Sequence, residues 1–226
     1  MEFEKYHKGL SYSYSFGAFG TIELLKNKNC YCKAILIDPS FVKNETYKKI
    51  VELCKERNIP IVVNLQTISK IRDKDNIYVV GVFDKYQSLI DNNKHILLYR
   101  INDVGIVGTI IRSMDGFNFH NLILIDCDID IFDEHLVRSS MGSFFKTNIK
   151  QYDNLDSYLK DYPNKQIVSI SKHGDTTNLD NKDYTYAFSN DYLDYPNVIN
   201  YCFNRDISID NIANIVLFTL YEGKSL

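Results

Sequence analysis

A glycine-bearing segment between two apolar stretches constrains the fold of this chain more than any other feature. Residues 96–99 form a short apolar run that predicts a strand, and residues 103–112 follow it with the sequence Asp-Val-Gly-Ile-Val-Gly-Thr-Ile-Ile-Arg. The spacing of apolar residues predicts a helix over 108–117, and residues 121–126 predict a second buried strand. Strand, turn, helix and strand in this order indicate an α/β arrangement.

The turn at Gly105 is a candidate for ligand binding, because glycine lets the backbone approach a bound group closely. Arg112, expected in the first turns of the following helix, carries a fixed charge that suits phosphate. Two known phosphate-binding patterns do not fit: no Gly-Lys-Ser/Thr follows, and Gly105 and Gly108 are too few for the dinucleotide-binding pattern. An ordinary strand-turn-helix with a surface arginine remains the alternative interpretation.

The rest of the chain alternates in the same way, which predicts an α/β fold with a central sheet covered by helices. Before residue 90 the predicted strands are 34–37, 61–63 and 77–83, and the predicted helices are 21–27, 44–57 and 65–71. After residue 90 the predicted strands are 96–100, 121–126, 166–170, 184–188 and 198–202, and the predicted helices are 108–117, 133–140, 154–160 and 211–222. A polar stretch over 86–93 predicts a linker, and we therefore expect two domains, 1–90 and 91–226.

Composition excludes several classes of protein. The 226 residues are 45% hydrophobic and 24% charged, as in ordinary globular proteins. No apolar run is long enough to span a bilayer, and the charged N-terminus lacks a signal-peptide core. Five cysteines, an odd number, predict reduced thiols in a cytoplasmic protein. Cys30-x-Cys32 lacks the spacing of a zinc knuckle, so no metal site is predicted.

Charge and aromatic residues give weaker indications. Residues 1–90 carry a net charge of +4 and the remainder −7. A basic first part would suit contacts with RNA phosphates, although an imbalance of this size also arises by chance. The aromatic run Tyr12–Phe16 is suited to stacking on unpaired bases, with packing of Phe16 in a core as the alternative. The spacing Asp126-x-Asp128-x-Asp130 lacks the glycine and the terminal glutamate of a calcium loop.

Several segments together resemble the RNA ribose 2′-O-methyltransferases of the SPOUT superfamily, in its SpoU or TrmH-like family. The first family block matches Asp103–Arg112, and the family's Arg-Ala-Ser-Met-Gly-Ala phrase is similar to Arg138–Phe145. The second block matches residues 189–191. The third, more eroded block corresponds to residues 201–203, 209–212 and 221–222. The first part of the chain resembles the small RNA-binding domain, shared with some ribosomal proteins, that precedes the catalytic domain in many of these enzymes.

This resemblance implies both a fold and a function. The fold would be an α/β domain with a deep trefoil knot, preceded by the small RNA-binding domain. The protein would bind S-adenosylmethionine, act on ribosomal or transfer RNA, and form a homodimer that buries helix 211–222 and part of the helix after Gly108. The implied catalytic residues are Arg112, Asn211 and Asp191. The implied cofactor-binding residues are Ser169, Ser189, Asn190, Asp191, Tyr201, Phe203 and Asn211.

The chemistry assigns roles to three of these residues. Methyl transfer from a sulfonium needs the ribose hydroxyl in line and help in losing its proton. Because arginine stays protonated, we expect Arg112 to clamp an RNA phosphate and to stabilise the developing alkoxide rather than to act as a base. Asn211 can orient the hydroxyl or the cofactor carboxylate, while Asp191 reaches less far than the family's glutamate.

Departures from the family pattern define the alternative function. Ile106 stands where the family has asparagine, Ser189 where it has glycine, and Cys202 where it has proline; Ile209-Asp210 stand where it has Ser-Leu. A chain with these replacements is alternatively a catalytically impaired relative that acts as a dimeric RNA- or cofactor-binding protein.

Overall fold

The computed structural model describes residues 2–72, 74–178, 182–203 and 206–224. Its strands are β1 (Tyr12–Phe16), β2 (Cys32–Ile37), β3 (Ile61–Val63), β4 (Val79–Asp84), β5 (His95–Tyr99), β6 (Asn121–Ile125), β7 (Asn148–Tyr152), β8 (Ile167–Ser171), β9 (Thr185–Phe188) and β10 (Ile199–Cys202). Its α-helices are α1 (Ala18–Asn27), α2 (Glu45–Glu56), α3 (Leu65–Ile71), α4 (Val104–Gly116), α5 (Glu134–Ser139), α6 (Leu155–Asp161) and α7 (Ile209–Tyr221).

The chain divides into two compact units, but not at a single point. The first unit comprises Met1–Tyr86 and Asp130–Lys146, and the second comprises Gln87–Ile129 and Thr147–Leu226. The segment 130–146, which the sequence placed in the second part, therefore packs with the first unit. The reason is apolar: the rings of Phe132, Phe144 and Phe145 lie 6.3, 6.3 and 5.1 Å from that of Phe83 on β4.

The first unit is a four-stranded sheet between helices, in the order β1-β4-β2-β3. Strands β1 and β2 run antiparallel to β4, and β3 runs parallel to β2. One face packs against Ile68 and Ile71 of α3, and the other packs against Leu25 of α1 and Ile50 of α2. The predicted alternation of strands and helices is confirmed here.

The aromatic run Tyr12–Phe16 forms β1, a strand that the sequence did not predict. Tyr14 and Phe16 are buried in the core, so their rings are not available to stack on RNA bases, and the alternative interpretation of Phe16 as a core residue is confirmed. Ser13 and Ser15 on the opposite face are buried too, and the Ser13 hydroxyl donates to the carbonyl of Phe132 at 2.5 Å. The polar residues of the alternating pattern are thus satisfied inside the protein rather than by water.

The second unit is an all-parallel sheet in the order β10-β8-β9-β5-β6-β7. One face packs against Leu155 and Tyr158 of α6. The side chains on the other face of the same strands are equally buried. We infer that this face is covered by α4 and α7, because these two helices contact each other and α6 lies on the first face. The carboxyl ends of all six strands meet at one edge. Strand β7 was not predicted, because its sequence Asn-Ile-Lys-Gln-Tyr is largely polar, as an edge strand allows.

Helix α4 begins earlier than the sequence predicted. Asp103 is its N-cap, and its carboxylate accepts hydrogen bonds from the backbone N–H groups of Gly105 and Ile106 at 2.8 and 3.0 Å. Gly105 consequently lies in the first helical turn, and the predicted glycine turn at this position is wrong. Arg112 lies past the middle of α4 rather than in its first turn.

His95 belongs to a buried network at the amino edge of this sheet. Its Nδ1 lies 2.8 Å from the Tyr158 hydroxyl, its Nε2 lies 2.7 Å from the carbonyl of Asp91, and Tyr158 also bonds Thr185 at 2.7 Å. Burial lowers the pKa of His95, which keeps the imidazole neutral at physiological pH. This histidine is a satisfied core residue rather than a ligand.

No helix among the described residues is both long and apolar enough to cross a membrane.

Candidate functional site

The predicted cofactor residues gather at the carboxyl edge of the second sheet. Residues 189–191 follow β9 directly, Tyr201 lies near the end of β10, and Phe203 follows that strand. Strand β8, which contains Ser169, lies between β9 and β10. Three segments that are distant in sequence are thus carried by three neighbouring parallel strands.

The loop after β8 fits closely against the end of β10. The N–H groups of Asp175 and Thr176 donate to the carbonyl of Asn200 at 2.8 and 3.2 Å, and the N–H of Cys202 donates to the carbonyl of Thr176 at 2.7 Å. The N–H of Phe203 donates to the carbonyl of Ser171 at 2.8 Å. β10 therefore has β8 along one side and the returning loop along the other. Such enclosure is consistent with the trefoil knot, which stays a prediction.

Gly174 makes this close approach possible. A Cβ atom at residue 174 would lie 2.6 Å from the nitrogen of Cys202 and from the carbonyl carbon of Tyr201, and 2.7 Å from the carbonyl oxygen of Asn200. All three are backbone atoms and have little room to move. Any larger residue at this position must displace the loop or the strand.

The turn at Ser189 explains why a residue other than glycine is accepted there. Ser189 is buried, and its Oγ accepts a hydrogen bond from the N–H of Asp191 at 3.2 Å. It is not among the described residues with positive φ, so a side chain causes no backbone strain. Asn190 and Asp191 next to it are exposed.

Ser169 and the aromatic residues differ in their access to a ligand. Ser169 is fully buried, and its Oγ has no hydrogen-bond partner among the described residues. Tyr201 and Phe203 are half-buried, and burial raises the pKa of Tyr201. Cys202, between these two residues, is also half-buried.

Two of the three predicted catalytic side chains lie on α4 and α7, the helices that contact each other. Arg112 on α4 is exposed and makes no hydrogen bond or ion pair with any residue that the structure describes. Asn211 is in the first turn of α7, where its amide nitrogen donates to the Ser208 hydroxyl at 2.9 Å. Both helices begin at the carboxyl edge, since each follows a strand of the parallel sheet.

Ser208 is a residue that the sequence reasoning overlooked. It is the N-cap of α7, which begins at Ile209. Aligned on this cap, Ser208-Ile209-Asp210 offers a second register against the family's Ser-Leu-Asn, in which Asp210 instead of Asn211 stands at the asparagine position. A serine directly before an apolar periodic segment is a helix-start signal and would have identified this register.

An ion pair at the same edge was also not anticipated. Arg100 follows β5 directly and Asp126 follows β6, and the Nε of Arg100 donates to the Oδ2 of Asp126 at 2.5 Å. The hydrogen bond that Arg100 donates to Asp126 raises the pKa of Arg100, and Asp191 adds to the negative field around it. The guanidinium carbon lies 4.9 Å from the centre of the Tyr99 ring.

The aspartates of the Asp126-x-Asp128-x-Asp130 spacing do not form a cluster. Asp126 pairs with Arg100, the N–H of Asp128 donates to the Asn102 side chain at 2.7 Å, and Asp130 lies in the first unit. Within the described part of the chain, no group of three His, Cys, Asp or Glu side chains is placed to hold a metal ion.

A cavity of about 530 Å³ lies at the opposite, amino edge of the second sheet, between α6 and residues 195–198. No residue from the predicted site lines it. The cavity is therefore separate from the predicted cofactor site in the loops after β8, β9 and β10.

Comparisons with known proteins agree with this architecture. Residues 93–194 match the model of the SpoU rRNA Methylase family, a span that includes the first two blocks and ends before the eroded third. No curated protein shows significant sequence similarity to the chain.

Solved structures share the fold across both units. An rRNA methyltransferase from Sinorhizobium meliloti is 20% identical, with a TM-score of 0.72 over 94% of this chain and 87% of that one. The SpoU methyltransferase AviRb from Streptomyces viridochromogenes is 16% identical, with a TM-score of 0.72 over 94% and 89%. An RNA 2′-O ribose methyltransferase is 11% identical, with a TM-score of 0.71 over 94% and 89%. Residues 93–194 are therefore similar to the SpoU rRNA Methylase family, and the chain shares the fold of these three solved structures.

Proposed function

We propose that this protein is an S-adenosylmethionine-dependent RNA ribose 2′-O-methyltransferase of the cytoplasm. One observation carries the proposal: the segment that matches the family contains both Arg112 and the loop 189–191, and the strands before these elements are neighbours in the sheet. The similar proteins from S. meliloti and S. viridochromogenes have also been solved with AdoMet bound, and another neighbour is described as acting on the ribose 2′-oxygen.

The residues at the carboxyl edge fit this cofactor. Half-buried rings of Tyr201 and Phe203 suit an adenine, and the exposed carboxylate of Asp191 suits ribose hydroxyls. The Oγ of Ser169, in the middle of β8, is a buried polar atom without a hydrogen-bond partner among the described residues. When bound, the cofactor would supply an electrophilic methyl group.

The protein's part in the reaction is positioning and charge stabilisation. The guanidinium of Arg112 has no partner among the described residues, so its donors are available to an RNA phosphate and to the developing alkoxide. Asn211 or, in the register set by the helix cap, Asp210 would orient the ribose hydroxyl. The first unit would hold the RNA, which is either ribosomal or transfer RNA.

The decisive experiment measures S-adenosylmethionine binding by calorimetry and methyl transfer to RNA with the same protein. We expect S-adenosylmethionine to bind the intact protein at one site per chain, and unmodified ribosomal or transfer RNA transcripts to acquire 2′-O-methyl nucleosides. Absence of both heat and thermal shift on titration would contradict the proposal. Cofactor and RNA binding without transfer would favour the alternative, a non-catalytic relative, for which Ile106 at the family's asparagine position is the supporting observation.

We also propose that the active form is a homodimer built on α7. Three residues on one side of this helix, Ile215, Phe218 and Tyr221, are 45, 48 and 58% exposed, and the ring of Phe117 lies 5.9 Å from that of Phe218. An apolar stripe of this kind is typically covered by a partner.

Light scattering tests the dimer. The wild type should show twice the 26.3 kDa chain mass at micromolar concentration, and Phe218→Asp should shift it to the monomer, because a buried unpaired carboxylate opposes association. Leu89→Asp, at a residue 91% exposed outside the stripe, is the matched control and should leave the mass unchanged. A monomeric wild type would refute the proposal.

A further inference from the structure

Arg100 and Asp126 occupy corresponding positions in the second sheet. Each is the first residue after its strand, and the two strands, β5 and β6, are neighbours. Both residues adopt left-handed backbone conformations, with φ of 56° and 54°. Aspartate tolerates this region moderately well, whereas arginine is uncommon there and glycine would be the default.

Stability does not account for an arginine in this conformation. The side chain of Arg100 is 62% exposed and that of Asp126 is 47% exposed, and ion pairs this open to solvent contribute little to folding. Glycine at residue 100 would remove the backbone strain at the loss of only this weak pair. Residues whose backbone strain is not offset by a gain in stability are concentrated at functional sites.

The guanidinium of Arg100 is held in one orientation and still has free donors. Its Nε is engaged by Asp126, and Tyr99 lies against its plane. The four N–H bonds on its two terminal nitrogens have no partner among the described residues. Such a fixed planar fork matches two oxygens of a phosphate, and a preset orientation lowers the entropy lost on binding.

Position favours RNA over the cofactor as the source of the anion. The proposed cofactor loops follow β8, β9 and β10, whereas Arg100 follows β5, which is the neighbour of β9 and is separated by it from β8 and β10. Helix α4, which carries Arg112, starts from this same β5 end. We propose that Arg100, oriented by Asp126, is a second RNA-binding residue that clamps a phosphodiester beside the nucleotide to be methylated. The inference rests on the proposed function and deepens it.

The test compares three variants of the full-length protein. Arg100→Asn removes the fork but keeps a residue that tolerates the left-handed region, and Asp126→Asn leaves the arginine but removes its orienting charge. Lys160→Asn, at an exposed position on α6, removes one positive charge elsewhere in the same unit and is the control. Filter binding to unmodified ribosomal RNA transcripts over a salt series, titration with S-adenosylmethionine and methyl transfer are measured for each.

We expect Arg100→Asn to reduce the slope of log K for RNA against log salt by about 0.7, the loss of one phosphate contact on single-stranded RNA. RNA affinity should fall about 10-fold or more, KM for RNA should rise with it, and affinity for S-adenosylmethionine should stay within twofold of wild type. Asp126→Asn should raise KM for RNA less and keep the slope. Lys160→Asn should match wild type in RNA affinity and in methyl transfer.

Three results would overturn the inference. An unchanged salt slope and KM for Arg100→Asn would show that the pair has no role in RNA binding. A selective loss of S-adenosylmethionine affinity would assign the guanidinium to the cofactor carboxylate instead. A wild type that binds neither S-adenosylmethionine nor RNA would remove the proposed function and this inference together, whereas the first two results leave the proposed function standing.

Discussion

Replacing Arg112 with alanine is expected to lower methyl transfer to RNA by about two to three orders of magnitude, the usual loss when a group that stabilises transition-state charge is removed. Arg112 is exposed and has no partner among the described residues, so its removal leaves no buried group unsatisfied. The melting temperature and the affinity for S-adenosylmethionine should therefore stay close to those of the wild type.

Two further variants sharpen this test. Arg112→Lys should restore little activity, because an ammonium cannot reproduce the bidentate fork of a guanidinium. Lys160→Ala removes an equal charge from an exposed position on α6, and this variant should retain full activity. Single-turnover transfer of a labelled methyl group is the appropriate measurement. If Arg112→Ala methylates at the wild-type rate, the chemistry has been assigned to the wrong residue.

Local patterns were sufficient to predict most of the secondary structure. The apolar stretch 61–63 and the periodic stretch 65–71 became β3 and α3, and the last predicted helix became α7 with its start two residues earlier. Each of these elements has its own periodicity and its own start or stop residues, so no distant contact is needed to specify it.

Features that depend on distant contacts were not predictable. The segment 130–146 follows strands of the second unit in sequence, yet its phenylalanines pack around Phe83, a preference that no local pattern records. The burial of Tyr14 was not predictable for the same reason, since an alternating aromatic strand is indistinguishable from an exposed stacking surface until its neighbours in the sheet are known.

The candidate site was predictable in its chain segments and not in its geometry. Resemblance to the family identified residues 189–191, but only the backbone shows that Ser189 needs no positive φ. Arg100 was overlooked because the pairing of β5 with β6 brings Asp126 next to it, a contact between residues distant in sequence. In addition, no sequence pattern indicates that an arginine adopts a left-handed backbone conformation.

Gly174→Ala is expected to have the second large effect, on cofactor binding and on stability together. The added Cβ would lie 2.6 Å from two backbone atoms of β10, so the loop after β8 must move away and break its hydrogen bonds to residues 200–202. Overpacking of this kind costs about 1–3 kcal/mol, which lowers Tm by about 2–4 °C per kcal/mol in a chain of this size.

Because Tyr201 and Phe203 lie on or next to the strand that this loop holds in place, affinity for S-adenosylmethionine should fall about 10-fold or more. Gly116→Ala is the matched control, since nothing lies within 4 Å of its added Cβ at the end of α4, and it should be neutral or stabilising by up to about 1 kcal/mol. Thermal unfolding and calorimetric titration of both variants provide the comparison. Equal cofactor affinity in Gly174→Ala and Gly116→Ala would show that the loop after β8 does not shape the binding site.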